Sequence, residues 1–237
     1  MKNTKVIDTI KNGLIVSCQA RKGWPMYGAT IMSAFSKAAE QGGAVGIRAT
    51  EPENIKAIKN TTNLPIIGIN KQWTDGYDIY ITPSYSSAKS IIEAGASIVA
   101  LDGTQRERPN GETLEEIIKK INDKYPEILI MADCATFEDG VNAEKLGADI
   151  ISTTLRGYTK ETQHIKSVDY DLIRKFANEL NTPVVAEGKI HTPEQAKKAL
   201  EYGAHAVVVG TAITRPEIIT KWFVEEIKTL GKQVKSM

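Results

Sequence analysis

Lys71 closes the apolar run PIIGINK (65–71), and Glu187 closes a second one, PVVAE (183–187). A lysine at the end of an apolar element is partly desolvated, which disfavours its charged form and moves it toward general-base chemistry. The plain alternative is a snorkelling lysine, or one paired with Asp75 or Asp78. A carboxylate in the same setting is costly unless paired, so Glu187 is expected to find a cation, either Lys71 across the mouth or its neighbour Lys189. Such a carboxylate would raise the lysine pKa while burial lowers it, so the net sign for Lys71 stays open. Arg48 offers a planar fork to a carbonyl, hydroxyl or carboxylate, and Asp133 can hydrogen-bond a hydroxyl or orient another charge; the two can equally pair with each other. Gln19, Asp102 and Arg156 end further apolar runs and so face the same mouth.

A different chemistry lies between Pro183 and Arg215. Gly188 and Gly210 follow two successive apolar runs and allow close backbone approach, although turn geometry alone also accounts for such glycines. The N–H groups near Lys189, Thr211 and Ala212 can cradle a phosphate, to which the helix opening near Thr214-Arg215-Pro216 adds its positive N-terminus and Arg215 a charge. This combination points to a small phosphorylated metabolite. His164, His191 and His205 have no metal-ligand spacing, so no metal is expected. Cys18 and Cys134 read as packed free thiols, with no histidine nearby to activate Cys134. Tyr158 and Trp73 are as readily packing residues as pocket walls, and TQRERPNG (104–111) is a charged loop on the same side.

The elements that must carry these residues recur along the chain. Short Val/Ile-rich runs near 14–19, 44–48, 65–70, 97–102, 127–133, 149–154, 183–187 and 206–210 suit parallel strands buried on both faces. Helical patterns follow near 28–41, 52–60, 84–94, 112–124, 136–146, 168–180, 192–202 and 215–230, and a leading helix near 3–12 is placed to plug one end. Gly-Ala pairs at 43–44, 95–96, 147–148 and 203–204 recur at spacings of 52, 52 and 56 residues, each between a helix and an even-numbered strand. That is the mark of a (βα)2 unit repeated four times, with glycine as a left-handed helix cap. Thr50-Glu51-Pro52, Thr82-Pro83-Ser84 and Thr192-Pro193-Glu194 mark helix starts, with Glu194 expected to help cap its helix. Eight units fit a single (β/α)8 barrel domain over 1–237, with functional groups at strand C-termini. An open doubly wound sheet is the lesser fit, because no G-x-G-x-x-G follows the first strand.

Composition narrows the partners. A 41% hydrophobic, 25% charged chain with a formal charge of +1 has no basic signature for nucleic acid. The polar MKNTKVIDTIKNG start lacks a signal-peptide core, and no run approaches the ~18 apolar residues of a membrane span, so a cytoplasmic protein without membrane contact is expected. Trp222 and Phe223 on the last helix serve either the cover of the barrel or an interface, and a homodimer is expected.

The order of LIVSCQA (14–20), GIRA (46–49), PIIGINK (65–71), YITP (80–83), ALDGTQRERPNG (100–111), MADCATFEDG (131–140), TTLRGYT (153–159), AEGKIHTPEQA (186–196) and VVVGTAITRP (207–216) resembles the N-acetylmannosamine-6-phosphate 2-epimerase family of bacterial sialic acid catabolism across nearly the whole chain. The resemblance implies a barrel of the ribulose-phosphate-binding type. It also implies an N-acylglucosamine-6-phosphate 2-epimerase that interconverts N-acetylmannosamine 6-phosphate and N-acetylglucosamine 6-phosphate without an organic cofactor. By motif position it makes Lys71 the acid/base at C2 and Glu187 a neighbouring catalytic carboxylate. It puts Gln19, Arg48 and Asp133 around the substrate, and Gly188, Lys189, Gly210, Thr211 and Arg215 toward the phosphate. Gln72 and Arg156 depart from the pattern, the latter standing where a smaller residue is expected; its strand-end position makes it a further substrate-binding candidate. One base serving both faces and two groups acting from opposite sides both remain open. Rival readings are a Schiff-base aldolase using Lys71 and a noncatalytic phosphosugar-binding barrel.

Overall fold

The computed structural model describes residues 2–233. Eight parallel strands pair in sequence order and the last pairs back to the first, closing a barrel. They are β1 (Leu14–Cys18), β2 (Gly46–Thr50), β3 (Ile66–Ile69), β4 (Ile98–Asp102), β5 (Leu129–Asp133), β6 (Ile150–Ser152), β7 (Val184–Glu187) and β8 (Ala206–Val209). The helices are α1 (Lys5–Ile10), α2 (Ala29–Gln41), α3 (Pro52–Lys59), α4 (Tyr85–Glu93), α5 (Leu114–Lys124), α6 (Phe137–Lys145), α7 (Tyr170–Glu179), α8 (Pro193–Glu201), α9 (Thr211–Thr214) and α10 (Pro216–Gln233). The arrangement is a TIM barrel, and every predicted strand and helix has its counterpart within a few residues. The four-residue α9 and a turn of 3₁₀ helix at Pro109–Gly111 were not anticipated.

Strand periodicity divides the core into two shells. Ile67, Ile69, Ile98, Ala100, Leu129, Met131, Val185 and Val208 pack together inside the barrel. The alternate residues Val16, Ile47, Ala49, Val99, Leu101 and Ile130 pack outward with residues of the surrounding helices. Side chains two residues apart on a strand share a face. Extending the inward set past the strand ends therefore gives Ser17 and Gln19, Lys71, Asp133, Thr154, Glu187 and Gly210. Arg48, flanked by outward Ile47 and Ala49, also points in. The residues with chemistry to offer thus share one parity.

The repeated Gly-Ala pairs act as expected. Gly43, Gly95, Gly147 and Gly203 have φ of 89°, 107°, 92° and 97°, a region open to glycine at little cost. The following alanine N–H reaches back to the carbonyl of Ala39, Ile91, Ala143 or Ala199, five residues earlier, which is the Schellman closure. Helix starts are set by side chains: Ser84 with Ser87, Thr113 with Glu116, Thr136 with Asp139 and Thr192 with Gln195 form reciprocal capping pairs. Gln195, at the third helical position, accepts from the Thr192 N–H and completes the capping pair, while Glu194 in the first turn is held below its ordinary pKa by its own backbone N–H and the Thr192 hydroxyl, so it supports the helix start as expected. Thr50 and Thr82 do not cap; Glu51 precedes α3 without a side-chain cap, and Ser84 caps α4.

The leading helix plugs the barrel through Ile10, which is 1% exposed and joins the inner cluster with Ile15, Ile98 and Val208. At the other end of the chain, Trp222 lies edge-on to His191 with ring centroids 5.0 Å apart, while Phe223, Ile227 and Leu230 face solvent. No helix among the described residues is long and apolar enough to cross a membrane. Because Ile10 is buried at the end remote from the strand C-termini, Ile10→Ala should lower unfolding free energy by about 2–5 kcal/mol in urea titration. The same variant should leave ligand binding at the mouth unchanged.

Candidate active site

The strand C-termini open onto a cavity of about 280 Å³. Its floor is a cluster of charges built on Arg48, which is 1% exposed. Arg48 Nη1 and Nη2 lie 3.1 and 2.5 Å from the two carboxylate oxygens of Asp133, and Nη1 lies 3.2 Å from Glu187 Oε2. Burial works against the guanidinium charge, yet Asp133 and Glu187 outweigh it and hold the Arg48 pKa above its ordinary value. Glu187 is pushed up, first by burial and then by Asp133, against the pull of Arg48. The cation beside Glu187 is therefore Arg48, in place of the Lys71 or Lys189 expected from the sequence. Among the described residues Glu187 makes no ion pair with Lys71 or Lys189.

Lys71 is held by a short backbone ladder beyond β3. It bridges antiparallel to Ile81, Gln72 N–H donates to the Tyr80 carbonyl at 2.9 Å, and Thr82 N–H donates to the Asn70 carbonyl at 2.9 Å. Trp73 stacks on Tyr80 at 5.6 Å, and the Arg21 guanidinium lies 4.5 Å from the Trp73 ring centre. This ladder points Lys71 into the cavity, where it makes no ion pair among the described residues. Burial, then the Arg48 charge, lowers its pKa to about 8 despite Glu187 and Asp133. The open sign is thus decided downward: burial and the Arg48 charge outweigh the two acids. Neither Asp75 nor Asp78 pairs with it; Asp78 pairs with Lys160.

The other end of the cavity is lined by Gly188, Lys189, Gly210, Thr211 and Arg215. Gly188 and Lys189 both have positive φ, 104° and 58°, which turns the chain sharply after β7. A Cβ on Gly210 would stand 3.2 Å from Ser17 Cβ, so glycine lets the β8 end close on β1. The Thr211 and Ala212 N–H groups belong to the first turn of α9 and have no partner within it. Arg215 stacks on Trp24 with 3.7 Å from its guanidinium carbon to the ring centre, and its Nε donates to Glu217 at 2.7 Å. Lys189 Nζ lies 3.7 Å from the centre of the Tyr158 ring. Lys189, Arg215 and the open backbone donors thus lie on the β7–β8 side of the cavity, across the barrel from Lys71 beyond β3.

Gln19 lines the cavity with Oε1 unpartnered, its Nε2 donating to Ser17 Oγ at 2.7 Å. Asp133 lies beneath the floor and acts through Arg48 rather than lining the cavity itself. Arg156 is a correction. The sixth strand ends at Ser152 rather than 154, so Arg156 sits in the following loop. Its Nε donates to Asp169 at 2.8 Å and its Nη1 to the Ala135 carbonyl at 3.1 Å, which ties it to the start of α7 and away from the cavity. Asp102 is likewise committed, to Arg106 and Thr104. Cys18 and Cys134 are free and fully buried, with pKa pushed up by burial, to about 12 for Cys18. No group of metal-binding side chains occurs among the described residues.

The family model described as "Putative N-acetylmannosamine-6-phosphate epimerase" matches residues 32–229. Two curated relatives, both under the name "Putative N-acetylmannosamine-6-phosphate 2-epimerase", are similar over nearly the full length. One, from Caldanaerobacter subterraneus subsp. tengcongensis, is 53% identical over 94% of each chain. The other, from Listeria welshimeri, is 48% identical over 97% of this chain and 99% of its own. The chain belongs to the N-acetylmannosamine-6-phosphate epimerase family. A solved structure titled as the N-acetylmannosamine-6-phosphate 2-epimerase from Clostridium perfringens matches with a TM-score of 0.89 at 45% identity, covering 92% of this chain and 95% of that one. Thiamine phosphate pyrophosphorylase from Pyrococcus furiosus, at 19% identity and a TM-score of 0.60, shares the fold.

Within this family member several cavity residues were not singled out from the sequence: Ser17, Arg21, Trp24, Tyr80, Thr154 and His191. Ser17 and Thr154 share inward parity with Gln19 and with Ile150, a signal available once strand faces are assigned. Arg21, Trp24 and Tyr80 come from loops whose paths the pattern of strands does not define. Tyr158, left between wall and packing, lines the cavity, whereas Trp73 stays outside it. Since Asp133 is the principal partner of a buried cation, Asp133→Ala should cost about 3–5 kcal/mol of stability. Chemical denaturation against the parent measures it.

Proposed function

We propose that this chain interconverts N-acetylmannosamine 6-phosphate and N-acetylglucosamine 6-phosphate by removing and returning the C2 proton of the open-chain sugar. Lys71 is the acid/base. The observation that carries the reading is a lysine with its pKa lowered to about 8, inside a cavity whose far end converges phosphate-binding groups. The names of the similar proteins agree with that substrate.

The chemistry follows from the placement of charges. C2 of the open-chain sugar is α to an aldehyde and carries the acetamido nitrogen, so its proton can leave with the electron pair delocalised onto O1 as an enolate. A neutral Lys71 takes that proton. The charge growing on O1 is stabilised by Arg48 or by the lysine once it is protonated. Gln19 offers its free carbonyl to a donor on the substrate, and Gly188, Lys189, Gly210, Thr211 and Arg215 hold the phosphate so that C2 is presented to the amine. Glu187 stands beside Arg48 at the same end of the cavity and serves as the neighbouring carboxyl.

Incubation of N-acetylmannosamine 6-phosphate in deuterated water should place deuterium at C2 of both epimers by NMR, with no carbon-chain fragments. Lys71→Ala should lose about 10²–10⁴-fold in kcat while retaining most of its phosphate affinity. An alanine variant turning over at the parental rate would sink the assignment, and binding without turnover in the parent would support a sensor instead. A neutral lysine also suits a Schiff-base lyase, which borohydride trapping of a substrate adduct on Lys71 would reveal. The required form of Lys71 is the neutral amine. Its share is therefore half near pH 8, nearly complete a unit or more above and falling about tenfold per unit well below, so kcat/KM should show an acidic limb with its midpoint near 8.

A further inference from the structure

Thr154, two residues beyond the end of β6, is surrounded by oxygen. Its Oγ1 lies 2.7 Å from Ser152 Oγ, 2.9 Å from Asp133 Oδ1 and 2.9 Å from Glu187 Oε2. Contacts this short between oxygens each require a hydrogen. Ser152 and Thr154 bring one hydroxyl hydrogen apiece, and Ser152 is free to point its own at Thr154 because its oxygen already accepts the Thr154 N–H at 3.3 Å. Three contacts and two hydroxyl hydrogens leave one contact without a hydrogen of its own unless a carboxyl proton fills it.

The surroundings choose which carboxyl carries it. Asp133 faces a guanidinium nitrogen on each oxygen, at 3.1 and 2.5 Å. Glu187 has only Nη1 at 3.2 Å, and that nitrogen directs its hydrogen bonds at Asp133 Oδ1 and Met131 Sδ. The titratable and charged groups facing Glu187 are Arg48 from β2, Lys71 from β3, Asp133 from β5 and Tyr158 from the loop after β6. We propose that Thr154 is a positioning residue that holds Glu187 as a neutral carboxylic acid, accepting its O–H at Oγ1 and passing its own hydrogen to Asp133. Burial of Glu187 acts in the same direction.

In that state every oxygen contact carries one hydrogen, and Thr154 accepts twice and donates once. Resting on the epimerase reading, the arrangement keeps a proton donor beside the sugar in addition to the lysine. When Glu187 gives its proton to a substrate oxygen, the electron pair of the O–H bond remains on Glu187. It becomes a carboxylate next to Arg48. The proton returns from the substrate in the reverse transfer or from solvent.

The test needs no substrate, so it can fail while the epimerase reading stands, and the reverse. In protein carrying ¹³C-labelled glutamate carboxyls, the Glu187 resonance is assigned by its loss in Glu187→Gln and titrated by NMR. The parent should show Glu187 protonated near neutral pH. Thr154→Val, which removes the acceptor of its O–H, should move the midpoint down by on the order of one pH unit, while Thr154→Ser keeps it. A hydroxyl that instead donates to an ionised Glu187 holds its pKa down, so its removal would move the midpoint up. An upward or unchanged midpoint overturns the proposal. So does a parent Glu187 that is ionised near neutral pH, a measurement that stands even if the valine variant does not fold.

Discussion

A guanidinium with 1% exposure on the floor of the barrel mouth is the constraint around which the rest is arranged. An isolated buried charge of this kind is prohibitively costly, and only close carboxylates with directed hydrogen bonds make it tolerable. Arg48 obtains both from Asp133, and Glu187 Oε2 stands 3.2 Å from its Nη1, so acids on β5 and β7 both face it. Its positive field then falls on Lys71, adding to burial in lowering the lysine pKa. One buried cation thereby sets the form of the amine opposite it and the partner of the carboxyl beside it. A lysine at a barrel mouth with a directly paired carboxylate would instead be held in its charged form.

Parallel strands with a period of two explain how these groups meet. The inner cluster of Ile67, Ile69, Met131 and Val185 continues, at the same parity, into Lys71, Asp133 and Glu187. Hydrophobic burial of the lower layers therefore aims the polar top layer inward without any further device. Lys71 needs more, since it lies beyond the end of β3, and the backbone ladder with residues 80–82 supplies it. Tyr80, Trp73, Arg21, Trp24 and Arg215 stack in succession along the rim. This links the loop that carries Lys71 to Arg215 beyond β8.

Much of this was legible in the residues. Apolar runs marked all eight strands, the Gly-Ala repeat marked four helix ends, and the strand-end reading picked out Arg48, Lys71, Asp133 and Glu187. Arg156 was misplaced because its apolar run was read as continuing to 154, whereas the paired strand stops at Ser152 and the side chain turns to Asp169. Glu187 was matched with the wrong cation because a run's end says which way a side chain points and not which neighbour it meets. Thr154 was passed over because a threonine in a strand pattern is ordinary; its three oxygen contacts exist only across β5, β6 and β7.

The sequence by itself determined the closed barrel of alternating strands and helices, the caps of several helices and the face on which each polar strand end would lie. These follow from local periodicity and from residues acting on their own chain neighbours. Tertiary structure alone decided that Arg48 takes both acids, that Lys71 is left with a lowered pKa, and that one hydroxyl bridges two carboxyls. Those outcomes depend on distances between residues more than 20 apart in the chain, and electrostatic and hydrogen-bond energies change sign or vanish within a few ångströms.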